Sequence, residues 1–365
     1  MNHKGQLRVM IMAGGTGGHV FPALAVVREL RKENALISWL GTRSGIESDI
    51  VPKHDIPLHF ITVEGVRGRG LWALLKAPIL VLRSISQALS ILGKIQPQVV
   101  VGMGGFASGP GAMAAWLRRI PVIIHEQNSI AGTTNKICAL FAKRILEGFP
   151  NTLPRGEWCG NPVRHEIIKL APPEQRFQGR NGKLKLLVLG GSRGALTLNT
   201  VLPKLLRLLD PKLRPEILHQ TGSDHWEFTQ ELYISEDIDL RDSSITLVPF
   251  IDKMEEAYGW ADLVICRAGA LTISEITVVG LGALLIPFPF AIDDHQTSNA
   301  QVLVDKDAAE LIQQSELILD TLASSLTELS SSKTRRLEMA KNARSLAKFG
   351  ATQHVARACW EVVYG

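Results

Sequence analysis

A chain of 365 residues, 45% of them hydrophobic, is long enough for two domains with separate cores and too apolar to be disordered. Its formal charge of +5 suits an anionic partner, whether nucleotide, nucleic acid or acidic membrane surface, without choosing among them. Four widely spaced cysteines, Cys138, Cys159, Cys266 and Cys359, with no CxxC pair, argue for reduced thiols in a cytosolic protein and against a disulfide framework.

Met1 to Gln6 lead straight into a strand with no apolar leader, and no run reaches the roughly 18 apolar residues of a membrane span, so a soluble or peripheral protein is expected. The first strand, Leu7 to Ala13, runs into Gly14-Gly15-Thr16-Gly17-Gly18-His19, after which the apolar spacing becomes helical. Further strand-like runs follow at 36–40, 59–63, 99–103, 122–125 and 145–149, separated by helical patterns. Many are continuously apolar rather than alternating, as strands covered on both faces require, which predicts a doubly wound parallel α/β sheet. The segment Trp158 to Arg164, containing Gly160-Asn161-Pro162, breaks regular structure and marks the expected boundary. A second series at 186–189, 217–220, 245–248, 263–266 and 284–287 repeats the scheme, and its first strand again enters a glycine turn, Gly190 to Ala195. Helices are expected over 333–348 and 351–364. The domains read as 1–162, 163–345 and a C-terminal helix within 346–365, whose pattern leaves open whether it packs back on the first domain.

The first glycine turn fits neither common cofactor fingerprint. The third glycine of G-x-G-x-x-G is replaced by Val20, and the second strand ends in Leu40-Gly41-Thr42-Arg43 without the ribose-binding acid. A P-loop needs Lys-Ser/Thr where Gly18 is followed by His19 and Val20. Glycines also serve close packing in any such sheet, but a histidine at the carboxyl end of the first strand stands where open α/β sheets bind ligands and where a general base is placed.

In the second half, Cys266 to Glu275 reads as a strand end, a small-residue turn and a helix start. The helix N-terminus suits phosphate, and Glu275 suits the paired hydroxyls of a ribose. Thr272 as N-cap with Glu275 completing a capping box is a compatible structural role. Asp294, His295, Gln296 and Asn299 form a dense set of sugar-hydroxyl partners, while Asp293-Asp294 has no further acid at ligand spacing, so no metal site is read.

Together with Gly102-Met103-Gly104-Gly105-Phe106-Ala107-Ser108-Gly109-Pro110, His125-Glu126-Gln127-Asn128 and Gly160-Asn161-Pro162-Val163-Arg164, these motifs resemble those of the MurG family, the bacterial peptidoglycan N-acetylglucosaminyltransferases. They occur in the family's order between about residues 7 and 300. The resemblance implies a GT-B fold, with two Rossmann-like doubly wound domains facing across a cleft, the acceptor held by the first and UDP-N-acetylglucosamine (UDP-GlcNAc) by the second. It implies inverting, metal-independent transfer of N-acetylglucosamine to the C4 hydroxyl of undecaprenyl-diphospho-N-acetylmuramoyl-pentapeptide, giving lipid II and UDP. No cofactor is implied. The work would lie in peptidoglycan synthesis, hence in cell-wall biogenesis, cell shape and division, at the cytoplasmic face of the inner membrane, with other cell-wall synthesis proteins as candidate partners.

Residue by residue, the resemblance implies that Thr16, Gly17 and Gly18 line the cleft against donor and acceptor diphosphate, and that Asn128 and Arg164 touch the donor. Ser192 would meet the UDP phosphates and Ile251 the uracil. Ala270, Leu271 and Thr272, leading into Ile273 and Ser274, would set the helix N-terminus at the α-phosphate, with Glu275 on the ribose and Gln296 on the sugar. His19 is the candidate base, a role that Glu126 shares or holds in the alternative.

The apolar run Leu71 to Arg83 has basic flanks, and a lipid-linked acceptor must be met at a bilayer surface. Trp72, Leu75, Ile79 and Leu82 are therefore candidate membrane-facing residues, against the alternative of a helix buried beneath the sheet. A UDP-N-acetylglucosamine 2-epimerase on the same fold and a non-catalytic nucleotide-sugar-binding subunit are the competing functions. Nucleic acid is the weakest partner, since three tyrosines and basic residues not interleaved with aromatics make no stacking surface.

Overall fold

The computed structural model describes residues 6–63, 71–191, 194–316 and 319–365, with the backbone alone for 71–77 and Ile292. The chain divides into two compact units, Met1–Arg164 with Lys348–Gly365, and His165–Ala347.

The first unit is built on a seven-stranded sheet in the order β3-β2-β1-β4-β5-β6-β7: β1 (Arg8–Met12), β2 (Leu36–Gly41), β3 (Leu58–Phe60), β4 (Val99–Gly102), β5 (Val122–Glu126), β6 (Arg144–Glu147) and β7 (Glu157–Trp158). Every pair in it is parallel. Pleating sends alternate side chains of β1 to opposite faces. Val9 and Ile11 pack with Val20 and Val27 of the helix Gly17–Lys32 and with Val355 and Cys359 of the helix Ala351–Tyr364. Met10 and Met12 join Ala88 and Leu92 of the helix Leu71–Ile95 and Ala112 of the helix Ser108–Leu117. Both faces are thus covered, which is why the strand has no polar alternation. The C-terminal helix belongs to this first core.

The second unit holds a six-stranded sheet in the order β10-β9-β8-β11-β12-β13: β8 (Lys185–Leu189), β9 (Glu216–Gln220), β10 (Ile245–Val248), β11 (Leu263–Cys266), β12 (Gly282–Leu285) and β13 (Ala309–Leu311). All its pairs are parallel as well. Both sheets are doubly wound, as expected from the continuous apolar runs. In each, the order reverses beside the first strand, at β1–β4 and at β8–β11. Successive connections there leave to opposite faces and open a crevice at the carboxyl ends of the strands.

Three expectations are corrected. β7 and β13 were not anticipated, because two- and three-residue edge strands carry too little apolar pattern to stand out. β12 begins two residues earlier than expected and stops before Pro287, which has no N–H for a ladder. The third concerns membrane-span length: the helix Leu71–Ile95 has 25 residues, and its stretch Pro78–Ile95 is long and apolar enough to cross a bilayer. Its pattern is nevertheless that of a helix lying on a sheet, with Ser84, Ala88 and Leu92 buried one turn apart on one stripe.

Candidate active site

At the first switch point two glycine turns interlock. A Cβ on Gly105, which has φ +86°, would lie 2.2 Å from the Gly14 carbonyl oxygen, so backbone packs directly on backbone. Ser108 ties the same turns together, its hydroxyl 2.7 Å from the carbonyls of both Met12 and Gly104. His19 stands in the first turn of its helix, half-buried, with Nδ1 3.1 Å from the Gly14 carbonyl. A carbonyl only accepts, so the neutral ring carries its proton on Nδ1 and its lone pair on Nε2. The Nε2 edge faces Gly104, where a Cβ would stand 2.8 Å from that nitrogen. Thr16 is exposed, and Gly17 and Gly18 are half-buried, at the same helix start.

A carboxylate that sequence reasoning passed over supports this turn. Glu47 is fully buried. Its Oε2 accepts the Gly15 N–H at 2.9 Å, and its Oε1 accepts both the N–H and the hydroxyl of Thr42 at 2.8 Å. A charged side chain six residues beyond a strand ordinarily reads as surface; the signal was the flanking Gly41 and Gly45, where a Cβ would strike that side chain.

Glu126, at the end of β5, is also buried. Its Oε1 accepts the Asn128 N–H at 3.0 Å, and its Oε2 accepts the Gly132 N–H at 3.1 Å and Asn135 Nδ2–H at 2.8 Å. These bonds hold the loop 127–135 in place, with Asn128 half-buried in it. Gln127 donates to the Met103 carbonyl and Asn161 to the Gln127 carbonyl, so the loops after β4, β5 and β7 form one chain of bonds. Burial lowers the pKa of His125, whose Nε2 meets the Gly160 carbonyl at 3.0 Å; it is a neutral strut. The Arg164 guanidinium stands 5.9 Å from the centre of the Phe21 ring, one helical turn or less from His19.

In the second unit, Gly194 (φ +76°) presses on the Thr221 carbonyl, 2.2 Å from where its Cβ would be. That carbonyl accepts from Asn199 Nδ2 at 2.9 Å, Asn199 Oδ1 meets His219 Nε2 at 3.0 Å, and His219 Nδ1 meets the Tyr233 hydroxyl at 3.0 Å. Burial pushes His219 down to about 3, so it stays neutral within this chain. Ser192 lies outside the described residues. Ile251 is half-buried just past β10, beside exposed Phe250.

The helix Ala270–Val279 starts at the second switch point. Its N-cap is Gly269 and no side chain caps it, so the capping-box expectation for Thr272 and Glu275 is corrected. Thr272 lies inside the first turn, and the N–H groups of Ala270, Leu271 and Thr272 have no carbonyl a turn earlier in the helix to receive them. Leu271, Thr272 and Ser274 are half-buried, whereas Ile273 faces the core. Glu275 is buried, with the Tyr258 hydroxyl donating to its Oε2 at 3.0 Å. At the helix's other end, Arg176 and Arg344 donate to the carbonyls of Val278, Val279 and Gly280, setting two cations on the negative pole.

Two of the expected sugar partners, Asn299 and Gln296, also make bonds that brace the loops around them. Asn299 is buried and donates to the Ala268 carbonyl at 3.1 Å, fixing the turn before the helix. Gln296 Oε1 accepts the Phe288 N–H at 2.9 Å, so its amide NH₂ is the end left to face a ligand. Arg267 donates to the carbonyls of Ile286 and Pro287 and to Gln314, shaping the same Pro-rich loop. Tyr258 and Arg176 carried no sequence signal, since each acts through contacts with residues distant in the chain.

Comparison with known proteins bears on both units. The glycosyltransferase family 28 N-terminal domain matches residues 9–147 and the glycosyltransferase family 28 C-terminal domain matches residues 185–357. A protein of Nitrosococcus oceani named UDP-N-acetylglucosamine--N-acetylmuramyl-(pentapeptide) pyrophosphoryl-undecaprenol N-acetylglucosamine transferase is 49% identical, covering 98% of this chain and 99% of its own length. A namesake from Burkholderia thailandensis is 48% identical, over 96% of this chain and 95% of its own. The crystal structure of Acinetobacter baumannii MurG superposes with a TM-score of 0.84 at 39% identity, over 97% of this chain and 99% of that one. A UDP-GlcNAc 2-epimerase from Neisseria meningitidis bound to UDP-GlcNAc has a TM-score of 0.65 over 97% of this chain and all of its own, and at 13% identity that likeness shows the fold alone. With two doubly wound parallel-sheet units of the GT-B type and both domain models matched, the chain belongs to glycosyltransferase family 28.

Proposed function

We propose that this protein transfers N-acetylglucosamine from UDP-GlcNAc to the C4 hydroxyl of undecaprenyl-diphospho-N-acetylmuramoyl-pentapeptide, with inversion at the anomeric carbon, forming lipid II and UDP. The observation that carries the reading is chemical. One switch point presents a half-buried imidazole held at Nδ1 by the Gly14 carbonyl, and the other presents a helix start with a buried carboxylate beside it. In the reaction, the acceptor oxygen attacks C1 of the donor sugar while His19 Nε2 takes its proton and the bond from C1 to the UDP oxygen breaks. The first-turn N–H groups of Ala270 to Thr272 supply positive potential to the diphosphate as it leaves. Glu126, with both oxygens engaged in its own loop, holds Asn128 and the loop in position and leaves the base role to His19. Thr16, Gly17 and Gly18 offer backbone to the acceptor diphosphate, Arg164 and Asn128 reach the donor, and Ser192, Ile251 and Gln296 complete the donor set.

Purified protein is expected to release UDP from UDP-GlcNAc when a lipid-linked muramoyl-pentapeptide is present, with EDTA making no difference. Release without acceptor would favour the epimerase, and donor binding without turnover would favour a binding subunit. Glu275→Ala is expected to raise KM for UDP-GlcNAc roughly 10- to 100-fold with a smaller change in kcat, the loss of a charged hydrogen-bond acceptor on the ribose. A donor lacking the ribose 2′-hydroxyl should then lose its disadvantage; if it remains as poor a substrate as with the parent protein, Glu275 does not read the ribose.

We place the lipid-linked acceptor's bilayer against the face formed by three neighbouring helices of the first unit. Ile79 and Leu82 are 68% and 66% exposed on the helix Leu71–Ile95, Trp116 is half-exposed at the end of Ser108–Leu117, and Leu140 is 81% exposed just beyond Thr133–Cys138. Exposed Arg83, Arg118, Arg119, Lys136 and Lys143 rim them, a combination suited to anionic headgroups. For Trp72 and Leu75 the structure describes only the backbone. Ile79→Ser with Leu140→Ser is expected to weaken binding to anionic vesicles about 10- to 100-fold, from roughly 1.5–3 kcal/mol per buried side chain partly realised, while turnover of a water-soluble acceptor analogue is unchanged. Unaltered vesicle binding by the folded double variant would remove this face from consideration.

A further inference from the structure

Glu47 and His19 are joined by a single peptide group. The N–H of that group, at Gly15, donates to Glu47 Oε2 at 2.9 Å, and its C=O, at Gly14, accepts from His19 Nδ1 at 3.1 Å. We propose that Glu47, the intervening peptide and His19 form a relay in which a buried carboxylate acts through the Gly14–Gly15 amide to orient the imidazole and raise the basicity of Nε2. Carboxylate–imidazole pairs normally meet directly; here one amide stands between them, and amide polarisation carries the effect because a hydrogen bond at N–H strengthens the acceptor at C=O. The proposal rests on the reading of His19 as the base for its kinetic consequence, though not for the coupling itself.

Three observations carry it. The partners described for Glu47 are neutral donors on both oxygens, the pattern of an ionised carboxylate, and its burial leaves little water to screen the charge. The peptide cannot turn away, since Gly105 packs on its carbonyl from the other side. Finally, the described elements of the first unit around the ring carry their charges elsewhere. The segment Gly102 to Leu117 packed against it contains no titratable side chain. On the helix of His19 the charged residues Arg28, Glu29, Arg31 and Lys32 come more than two turns later. Arg43 is stacked on Phe60, Asp49 is exposed on a short helix, Arg164 stands over Phe21, and both oxygens of Glu126 are engaged in the loop 127–135. Glu47 is therefore a positioning residue: it touches no substrate and acts through His19.

The sign of the effect is fixed by electrostatics. A negative charge coupled to the ring favours the imidazolium, so its removal makes Nε2 harder to protonate. In Glu47→Gln the amide oxygen still accepts from Gly15 N–H and the Thr42 hydroxyl rotates to accept from the new NH₂, while the Thr42 N–H loses its acceptor, at some cost in stability. The His19 imidazole titration, followed by NMR in the full-length protein, is expected to move to lower pH. The acid limb of the kcat/KM profile should follow it, with kcat down roughly 10-fold and donor KM nearly constant. A mere loss of packing would lower the amount of folded protein without moving either titration. An unmoved His19 titration in the folded variant overturns the relay. A moved titration with an unmoved acid limb upholds the relay and rejects His19 as the base. Should the variant fail to fold, the Glu47 carboxyl carbon of the parent protein decides: an ionised signal at neutral pH with a downfield, slowly exchanging Gly15 amide supports the relay, and a protonated carboxyl overturns it.

Discussion

His19→Ala is expected to lower kcat for sugar transfer by roughly 10² to 10⁴, the usual worth of a positioned general base, while KM for UDP-GlcNAc stays within a few-fold. The split follows from where the ring sits. It belongs to the first unit, at the crevice beside β1 and β4, whereas the groups assigned to the nucleotide lie at the helix Ala270–Val279 of the second. The substitution removes the ring that bonds the Gly14 carbonyl and packs on Gly104 but leaves the contact of Gly105 with the Gly14 backbone, so the variant is expected to fold, checked by thermal unfolding. His19→Gln is the sharper variant, because its amide can keep the bond to Gly14 while accepting no proton at neutral pH. If either folded variant retains parental kcat over the whole pH range, His19 is not the base, and Glu126 returns as the candidate.

Gly105→Ala is expected to be the most damaging single methyl group in the first unit. A residue other than glycine at φ +86° costs about 1–2 kcal/mol, and forcing a Cβ against the Gly14 backbone adds the about 1–3 kcal/mol typical of overpacking. Relief requires the two turns to separate, which would shift the Gly14 carbonyl and part the His19 ring from Gly104. Both a lower unfolding midpoint and a loss of kcat should therefore appear together, measured by denaturant unfolding and UDP release. Gly15→Ala makes a useful contrast: φ there is also positive, at +87°, yet a Cβ would meet nothing within 4 Å. It should show the backbone cost alone, with a smaller loss of stability. Equal effects at the two positions would mean that the interlock contributes nothing beyond backbone strain.

The strands were legible because burial on both faces leaves continuous apolar runs, and the two glycine turns were legible because positive φ and close approach leave few other residues possible. The helix start at Ala270 was visible for the same local reasons, though its cap was misread: a serine, threonine or aspartate marks an N-cap only when its backbone is the half-turn, and here Gly269 takes that place. Short edge strands such as Ala309–Leu311 fell below what a pattern can carry.

Relations between residues distant in sequence were not legible. Glu126 and His19 look equally suited to accept a proton when read as residue types. Folding gives them different surroundings, because loop 127–135 wraps its own donors around Glu126 while Nδ1 of His19 is held by the Gly14 carbonyl. Glu47 was passed over in the sequence, and Asn299 was read as a sugar partner. The first is a buried anchor because the turn it supports leaves room for a carboxylate only beside glycines, and the second also braces the turn at Ala268, to whose carbonyl its helix turns it. Sequence alone determined the parallel α/β halves, the glycine turns and the set of candidate groups, since these follow from side-chain burial and local backbone freedom. Tertiary structure alone decided which partners those groups meet, since a hydrogen-bonding group is engaged only by the neighbours that folding brings to it.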